Sequence, residues 1–233
     1  MTRSAAEFYD LLAGEYDRRW AYGPRTTGRQ AAWLSRHCPP GRLLDLGCGT
    51  GRMLAPLAKA GFHPLGLDCS WGMLAQAHTG HPDIPLVLAD AGRGLPFASG
   101  SLDAVIALHA TLNHITDADR RQGLADEVLR LLKPGGTWVI ELPHPKTFPP
   151  LDRQGGWRTY RPGISCRSAG PYLEELCIDH QPGLRTMVRV FDLQGLQTLL
   201  AGFGRVTLHE GFSEKPFSSH AGRSMVVRAW KQR

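Results

Sequence analysis

Apolar positions first recur at helical spacing. Phe8, Leu11, Leu12 and Tyr16 fall near one face of a helix predicted over Ala5 to Trp20. A second helix is predicted from Thr27 to His37, stopped by Cys38-Pro39-Pro40-Gly41. Short apolar runs then alternate with helical stretches. The runs are Arg42–Leu46, His63–Leu67, Leu86–Ala89, Ala104–Leu108 and Thr137–Leu142. The helices between them are predicted over Arg52–Ala60, Ser70–Ala77 and Asp117–Leu132, the last ended by Lys133-Pro134-Gly135-Gly136. Apolar strands separated by helices predict a parallel sheet covered on both faces.

The pattern changes after Leu142. Residues Pro143 to Arg161 are rich in Pro, Gly and aromatics and show no period. Tyr172–Asp179 and Arg185–Phe191 flank the turn His180-Gln181-Pro182-Gly183 and predict an antiparallel pair. A helix over Leu193–Ala201 and strands over Arg205–His209 and Met225–Trp230 close the chain. The expected division is 1–40, N-terminal helices over a cofactor; 41–142, a cofactor-binding core; 143–191, a substrate lid; and 192–233, completion of the sheet.

With 233 residues, 42% hydrophobic and 21% charged, the chain has the composition of an ordinary globular protein. No apolar run approaches the ~18 residues of a membrane span. The N-terminal stretch lacks a signal-peptide core, so a cytoplasmic setting and no membrane partner are expected. Five scattered cysteines without C-x-x-C spacing suggest reduced thiols. The net charge of +6 is carried mainly by arginine and admits a polyanionic partner. The basic residues form no dense block, however, which favours a role in solubility over nucleic-acid binding.

The first apolar run leads into Gly47-Cys48-Gly49-Thr50-Gly51 and the second ends at Asp68. Glycines let the backbone approach a ligand closely, and a helix N-terminus beyond them favours an anion. A carboxylate about twenty residues on suits the two hydroxyls of a ribose. Such a carboxylate disfavours a 2′-phosphate, and the third glycine falls one residue early for the dinucleotide fingerprint. Asp68 also has a plain alternative, as a cap for the helix near Ser70. Asp90 likewise suits an adenine amino group or a turn cap.

The series Asp45-Leu46-Gly47-Cys48-Gly49-Thr50-Gly51, Asp68, Ala89-Asp90, Leu95-Pro96-Phe97, Ser101-Leu102-Asp103-Ala104-Val105 and Leu131-Leu132-Lys133-Pro134-Gly135-Gly136 resembles the Class I S-adenosylmethionine-dependent methyltransferases. The segment Phe8 to Asp17 is similar to their small-molecule branch. The resemblance implies a Rossmann-like α/β fold with a seven-stranded, mostly parallel sheet, an antiparallel last strand and a small lid insertion. It implies S-adenosylmethionine as cofactor and S-adenosylhomocysteine as product. Asp45, Gly47, Cys48, Gly49 and Gly51 would surround the methionine part, with Asp68 on ribose and Cys69, Asp90 and Ala91 at adenine. Tyr16, with Trp20 beside it, would fold over the cofactor.

Methyl transfer needs alignment of the nucleophile, exclusion of water and, for a protonated acceptor, removal of a proton. Histidine suits the last task. His109, His114 and His144 are the catalytic candidates, and His109 is also expected to contact the cofactor. Each has a structural alternative. Glu141 either faces the site or pairs with an arginine, and Trp157, Tyr160 and Tyr172 form either an acceptor wall or lid packing. His78-Thr79-Gly80-His81 is too thin a pattern for a metal, and none is expected. A small-molecule acceptor methylated on oxygen or nitrogen is the leading expectation. RNA as acceptor, a cofactor-binding protein without catalysis and a dehydrogenase stand behind it.

Overall fold

The computed structural model describes residues 3–20, 23–144, 158–161, 164–169, 172–177, 184–218 and 224–232, with 158–177 described by their backbone alone. Seven strands form the main sheet: β1 (Arg42–Leu46), β2 (His63–Asp68), β3 (Leu86–Leu88), β4 (Leu102–Ala107), β5 (Leu132–Pro143), β10 (Arg205–Glu210) and β11 (Ser224–Trp230). Their order is β10-β11-β5-β4-β1-β2-β3. Strands β1 to β5 pair in parallel, while β11 lies antiparallel between β5 and β10. The expected antiparallel last strand is therefore β11. The chain leaves β1 toward β2 and returns as β4 on its other side, which opens a crevice at the carboxyl ends of β1 and β4.

Successive strand residues point to opposite faces, so the apolar runs feed two cores. Leu44, Val105, Trp138 and Val227 pack with Leu124, Val128 and Leu131 of helix α6 (Ala118–Leu131). Their chain neighbours Leu43, Ala104, Val139 and Val226 pack on the other face. There they meet Trp33 and Leu34 of helix α3 (Pro24–His37) and Leu57 of helix α4 (Leu54–Lys59). Helix α5 (Trp71–Gly80) follows β2, and α7 (Leu193–Leu199) packs Leu196 and Leu199 beside α6. Ile106, on a central strand, is fully buried. We expect Ile106→Ala to cost about 2–5 kcal/mol in urea unfolding, because both lost methylenes and a residual cavity count.

Three predicted elements differ. The single N-terminal helix is broken into α1 (Ala5–Leu12), a 3₁₀ turn over Ala13–Glu15 and α2 (Tyr16–Arg19). Gly14 sits in that turn, where its poor helix propensity lets the chain change direction. Ser4 and Glu7 start α1 with a reciprocal capping box. The predicted antiparallel pair forms as β8 (Tyr172–Cys177) and β9 (Leu184–Arg189), but two further strands, β6 (Arg158–Arg161) and β7 (Ile164–Ala169), extend it to a four-stranded sheet. Strand β6 is only four residues long with arginine at both ends, and β7 has Ile164 as its one β-branched residue, so pattern alone did not reveal them. Finally, β5 begins earlier than predicted. Leu132 pairs with Leu102, Lys133–Gly136 bulges out, and the ladder resumes at Ala104 and Thr137.

Among the described residues no helix is long and apolar enough to cross a membrane.

Candidate active site

The crevice holds a cavity of about 630 Å3. Its floor is the turn after β1. Gly47 and Cys48 donate their N–H groups to the Leu67 carbonyl at 2.7 and 3.0 Å, so the turn curls over the end of β2. Gly47 and Gly49 both have left-handed backbone, with φ of +72° and +56°. Nothing lies within 4 Å of where a Cβ of Gly49 would stand, so the turn faces open space there.

Asp68 ends β2 on the cavity wall and is almost wholly buried. One carboxylate oxygen accepts from Gly49 N at 2.8 Å and the other from Ser70 N at 2.9 Å. The cap of α5 is Ser70, whose hydroxyl accepts from Met73 N. Asp68 thus joins the glycine turn to the start of α5 rather than capping it. Burial raises its pKa, against the pull of the N–H groups of Ser70, Gly49 and Cys69. Cys69 lines the same wall, and burial pushes its thiol up to about 12, which leaves it inert.

Asp45 and Gly51 lie behind this surface. Gly51 backs onto His81 and Ala77. Asp45 is buried on β1, and desolvation raises its pKa to about 7, opposed by Arg52 and assisted by Asp68. The folded chain therefore holds a proton that the unfolded chain releases above its ordinary value of 3.8. The associated stability is full below pH 4 and is lost as pH rises through about 7. Asp45→Asn should flatten that decline when urea midpoints are compared between pH 4 and 8.

Asp90 and Ala91 also line the cavity. Asp90 caps the 3₁₀ turn Ala91–Arg93 through Gly92 N at 2.9 Å and forms ion pairs with Arg120 and Arg93. The cap reading of Asp90 is therefore realised, on the wall where an adenine amino group was expected.

The N-terminal helices close the cavity from above. Asp10 accepts from Ser70 Oγ at 2.6 Å and Gly72 N at 2.9 Å, placing its charge at the amino end of α5. Asp17 accepts from Thr50 Oγ1 at 2.8 Å, tying α2 to the glycine turn. Tyr9 and Tyr16 line the cavity, and Tyr16 stacks on Trp20 with ring centres 4.8 Å apart. Sequence reasoning missed Asp10, Asp17 and Tyr9. Their partners are far away in the chain, and the only local signal is acidic residues on an amphipathic helix.

After β4 the chain turns sharply. His109 and Ala110 have φ of +53° and +69°, a left-handed pair without glycine that costs ~1–2 kcal/mol per residue. Glu141, on β5 with its side chain 12% exposed, holds this turn. It accepts from His109 N at 3.3 Å and lies 3.5 Å from His109 Nδ1, while its backbone carbonyl takes Ala110 N–H. Burial raises the Glu141 pKa, opposed by the Ser224 hydroxyl and the His109 N–H. Gln30 of α3 approaches His109 Nε2 at 3.5 Å. A 3₁₀ turn over Thr111–His114 follows, anchored to β9 by Asn113 Nδ2 on the Arg189 carbonyl at 2.6 Å.

His109 and His114 line the cavity. His144 does not. Its ring is buried beside Phe217, with Nε2 3.1 Å from the Ser218 carbonyl. Glu141 stands behind His109 rather than pairing directly with an arginine. Of the aromatics expected to form an acceptor wall or lid packing, Trp157 lies outside the described residues, and the side chains of Tyr160 and Tyr172 lie outside them too.

A profile described as a methyltransferase domain matches residues 43–136, from β1 through the bulge of β5. A demethylmenaquinone methyltransferase of Beutenbergia cavernae is 32% identical over 224 residues, covering 92% of this chain and 88% of its own length. The chain belongs to the S-adenosylmethionine-dependent methyltransferases. A demethylmenaquinone methyltransferase of Renibacterium salmoninarum is 42% identical over 143 residues, which span 61% of this methyltransferase and 55% of that one. Among solved structures, the CcbJ methyltransferase of Streptomyces caelestis superposes with a TM-score of 0.82 at 21% identity, covering 97% of this chain and 98% of that one. An amino pentose methyltransferase of Micromonospora echinaspora, solved with S-adenosylmethionine bound, gives 0.69 at 22% identity over 92% and 95% of the two chains. At those identities the likeness establishes the fold.

Proposed function

We propose that this methyltransferase moves a methyl group from S-adenosylmethionine to an oxygen or nitrogen of a small molecule, releasing S-adenosylhomocysteine. The observation that carries the reading is the convergence of the open glycine turn, Asp68 and His109 on one cavity roofed by the N-terminal helices. When bound, the cofactor supplies a methyl group already activated as a sulfonium. The protein contributes position and dryness.

Gly47, Cys48 and Gly49 would surround the methionine portion, with Asp45 and Gly51 shaping the turn from behind. Asp68 retains lone pairs for the ribose hydroxyls. Cys69, Asp90 and Ala91 would flank adenine, and Tyr16 would cover the cofactor. His109 would stand near the methyl group. Segment 143–191 would act as the acceptor's lid. Its strand β9 supports this by bonding to the N-terminal segment, where Arg3 N donates to the Arg185 carbonyl at 2.8 Å. The relatives' named acceptors are a demethylmenaquinone and an amino pentose, both small molecules. Free Cys38, Cys48 and Cys69 support a cytoplasmic setting.

The test is release of S-adenosylhomocysteine on adding either the low-mass fraction of a cell extract or total RNA. Release with the low-mass fraction alone is the expected result. Release only with RNA would transfer the reading to a nucleic-acid acceptor.

A further inference from the structure

Three histidines follow β4 and β5, whose ends border the crevice, and their surroundings separate them. His109 turns Nδ1 toward Glu141 at 3.5 Å and Nε2 toward Gln30 at 3.5 Å, so both ring nitrogens point into the protein. His144 is buried away from the cavity, with Nε2 on the Ser218 carbonyl. His114 lies on the cavity wall. Its Nδ1 is buried, and its Nε2 lies 2.8 Å from the Tyr9 hydroxyl.

Tyr9 is only half-buried and lines the same cavity. Its ring is held edge-on by Phe8 at 5.3 Å, Tyr16 at 5.9 Å and His114 at 5.1 Å. The hydroxyl is thus fixed by packing on several sides and aimed at one imidazole nitrogen. A tyrosine hydroxyl both donates and accepts, so it can pass a proton without moving.

We propose that Tyr9 is a catalytic residue of the methyl transfer and that His114 acts through it as the proton acceptor. The inference rests on the proposed small-molecule reading and narrows it to acceptors whose nucleophile carries an acidic proton, a phenolic or enolic hydroxyl or an ammonium. As the acceptor's oxygen or nitrogen bonds to the methyl carbon, the carbon–sulfur bond breaks and its electron pair stays on sulfur. The acceptor's proton passes to the Tyr9 oxygen while the Tyr9 proton passes to His114 Nε2. His114, neutral and protonated on Nδ1 beforehand, gives up the Nε2 proton once the product has left, when the relay runs in reverse through the Tyr9 hydroxyl to water entering the cavity.

The experiment compares the parent protein with Tyr9→Phe, which keeps the ring contacts, and His114→Gln. Methyl transfer from labelled S-adenosylmethionine to the low-mass extract fraction is followed from pH 5.5 to 9. S-adenosylhomocysteine affinity is measured by calorimetry, and the His114 ring is titrated by NMR in the parent and in Tyr9→Phe. Each variant should lose about 100-fold in rate at saturating acceptor, the usual scale of proton-transfer catalysis. The rise in rate through the imidazole range should vanish in His114→Gln, and Tyr9→Phe should shift the His114 titration. S-adenosylhomocysteine affinity should stay within twofold in both. Parent-like rates and pH profile in the variants, or an unmoved His114 titration, overturn the relay while leaving methyl transfer intact. A parent protein that transfers no label to any fraction overturns the functional reading and the relay with it.

Discussion

Replacing Asp68 by alanine weakens the binding of S-adenosylhomocysteine by at least about tenfold, a loss of roughly 1.4 kcal/mol or more. Two separate effects push the same way. The carboxylate is the group proposed to take the ribose hydroxyls, and a hydrogen bond to a charged group contributes about 1.5–3 kcal/mol. It also holds Gly49 N at 2.8 Å and Ser70 N at 2.9 Å, so its removal frees the glycine turn from the start of α5. Asp68→Asn separates the two. The amide oxygen keeps one of the backbone bonds, so the turn should survive better than in alanine while the ribose site still loses its charge. Calorimetric titration of both variants, with unfolding midpoints as control, checks the prediction. Unchanged affinity in Asp68→Ala would remove this residue from the cofactor site.

Gly47→Ala should abolish cofactor binding and lower stability by several kcal/mol. At φ of +72° a side chain is strained, at about 1–2 kcal/mol. The added Cβ would also overlap Cγ2 and Oγ1 of Thr111, the first residue of the turn that carries His114. Forcing such overlap costs about 1–3 kcal/mol and pushes two cavity walls apart. Adding Thr111→Ala to Gly47→Ala should recover the overlap cost but leave the backbone strain. Urea unfolding of the single and double variants checks this. A double variant no more stable than Gly47→Ala would show that Thr111 is not the obstacle.

The sheet was legible because buried parallel strands are nearly continuous apolar runs punctuated by glycine and proline, and two of the helices between them, α5 and α6, carry side-chain caps. Leu43-Leu44 and Val226-Val227 serve two cores from adjacent positions, and both faces had to be apolar. The cavity wall was legible for a related reason. Gly47, Gly49 and Asp68 shape it through backbone geometry and a fixed chain spacing, which local sequence encodes. Nine of the eleven expected cofactor positions line the cavity, and the other two, Asp45 and Gly51, sit behind it.

What the sequence hid depends on tertiary pairing. Tyr9 and His114 meet across 105 residues, and Asp10 and Ser70 across 60. No periodicity reports such contacts. His144 appeared equivalent to His114 because both follow a strand that ends at the crevice. The direction of the ring decides between them, and neighbours from the 212–218 segment turn that of His144 away. The break at Gly14 was obscured because apolar residues kept helical spacing across a 3₁₀ turn. In the smaller sheet, the short strands β6 and β7 carry little pattern of their own and are specified by pairing with their neighbours.

The most direct test of the central claim follows a labelled methyl group. The protein is incubated with methyl-labelled S-adenosylmethionine and a cell extract, which is then separated into small molecules, RNA and protein. The account predicts label in the small-molecule fraction, abolished by Gly47→Ala and sharply reduced at low cofactor concentration by Asp68→Ala. Label confined to RNA or protein, or label in small molecules that survives Gly47→Ala, would contradict it.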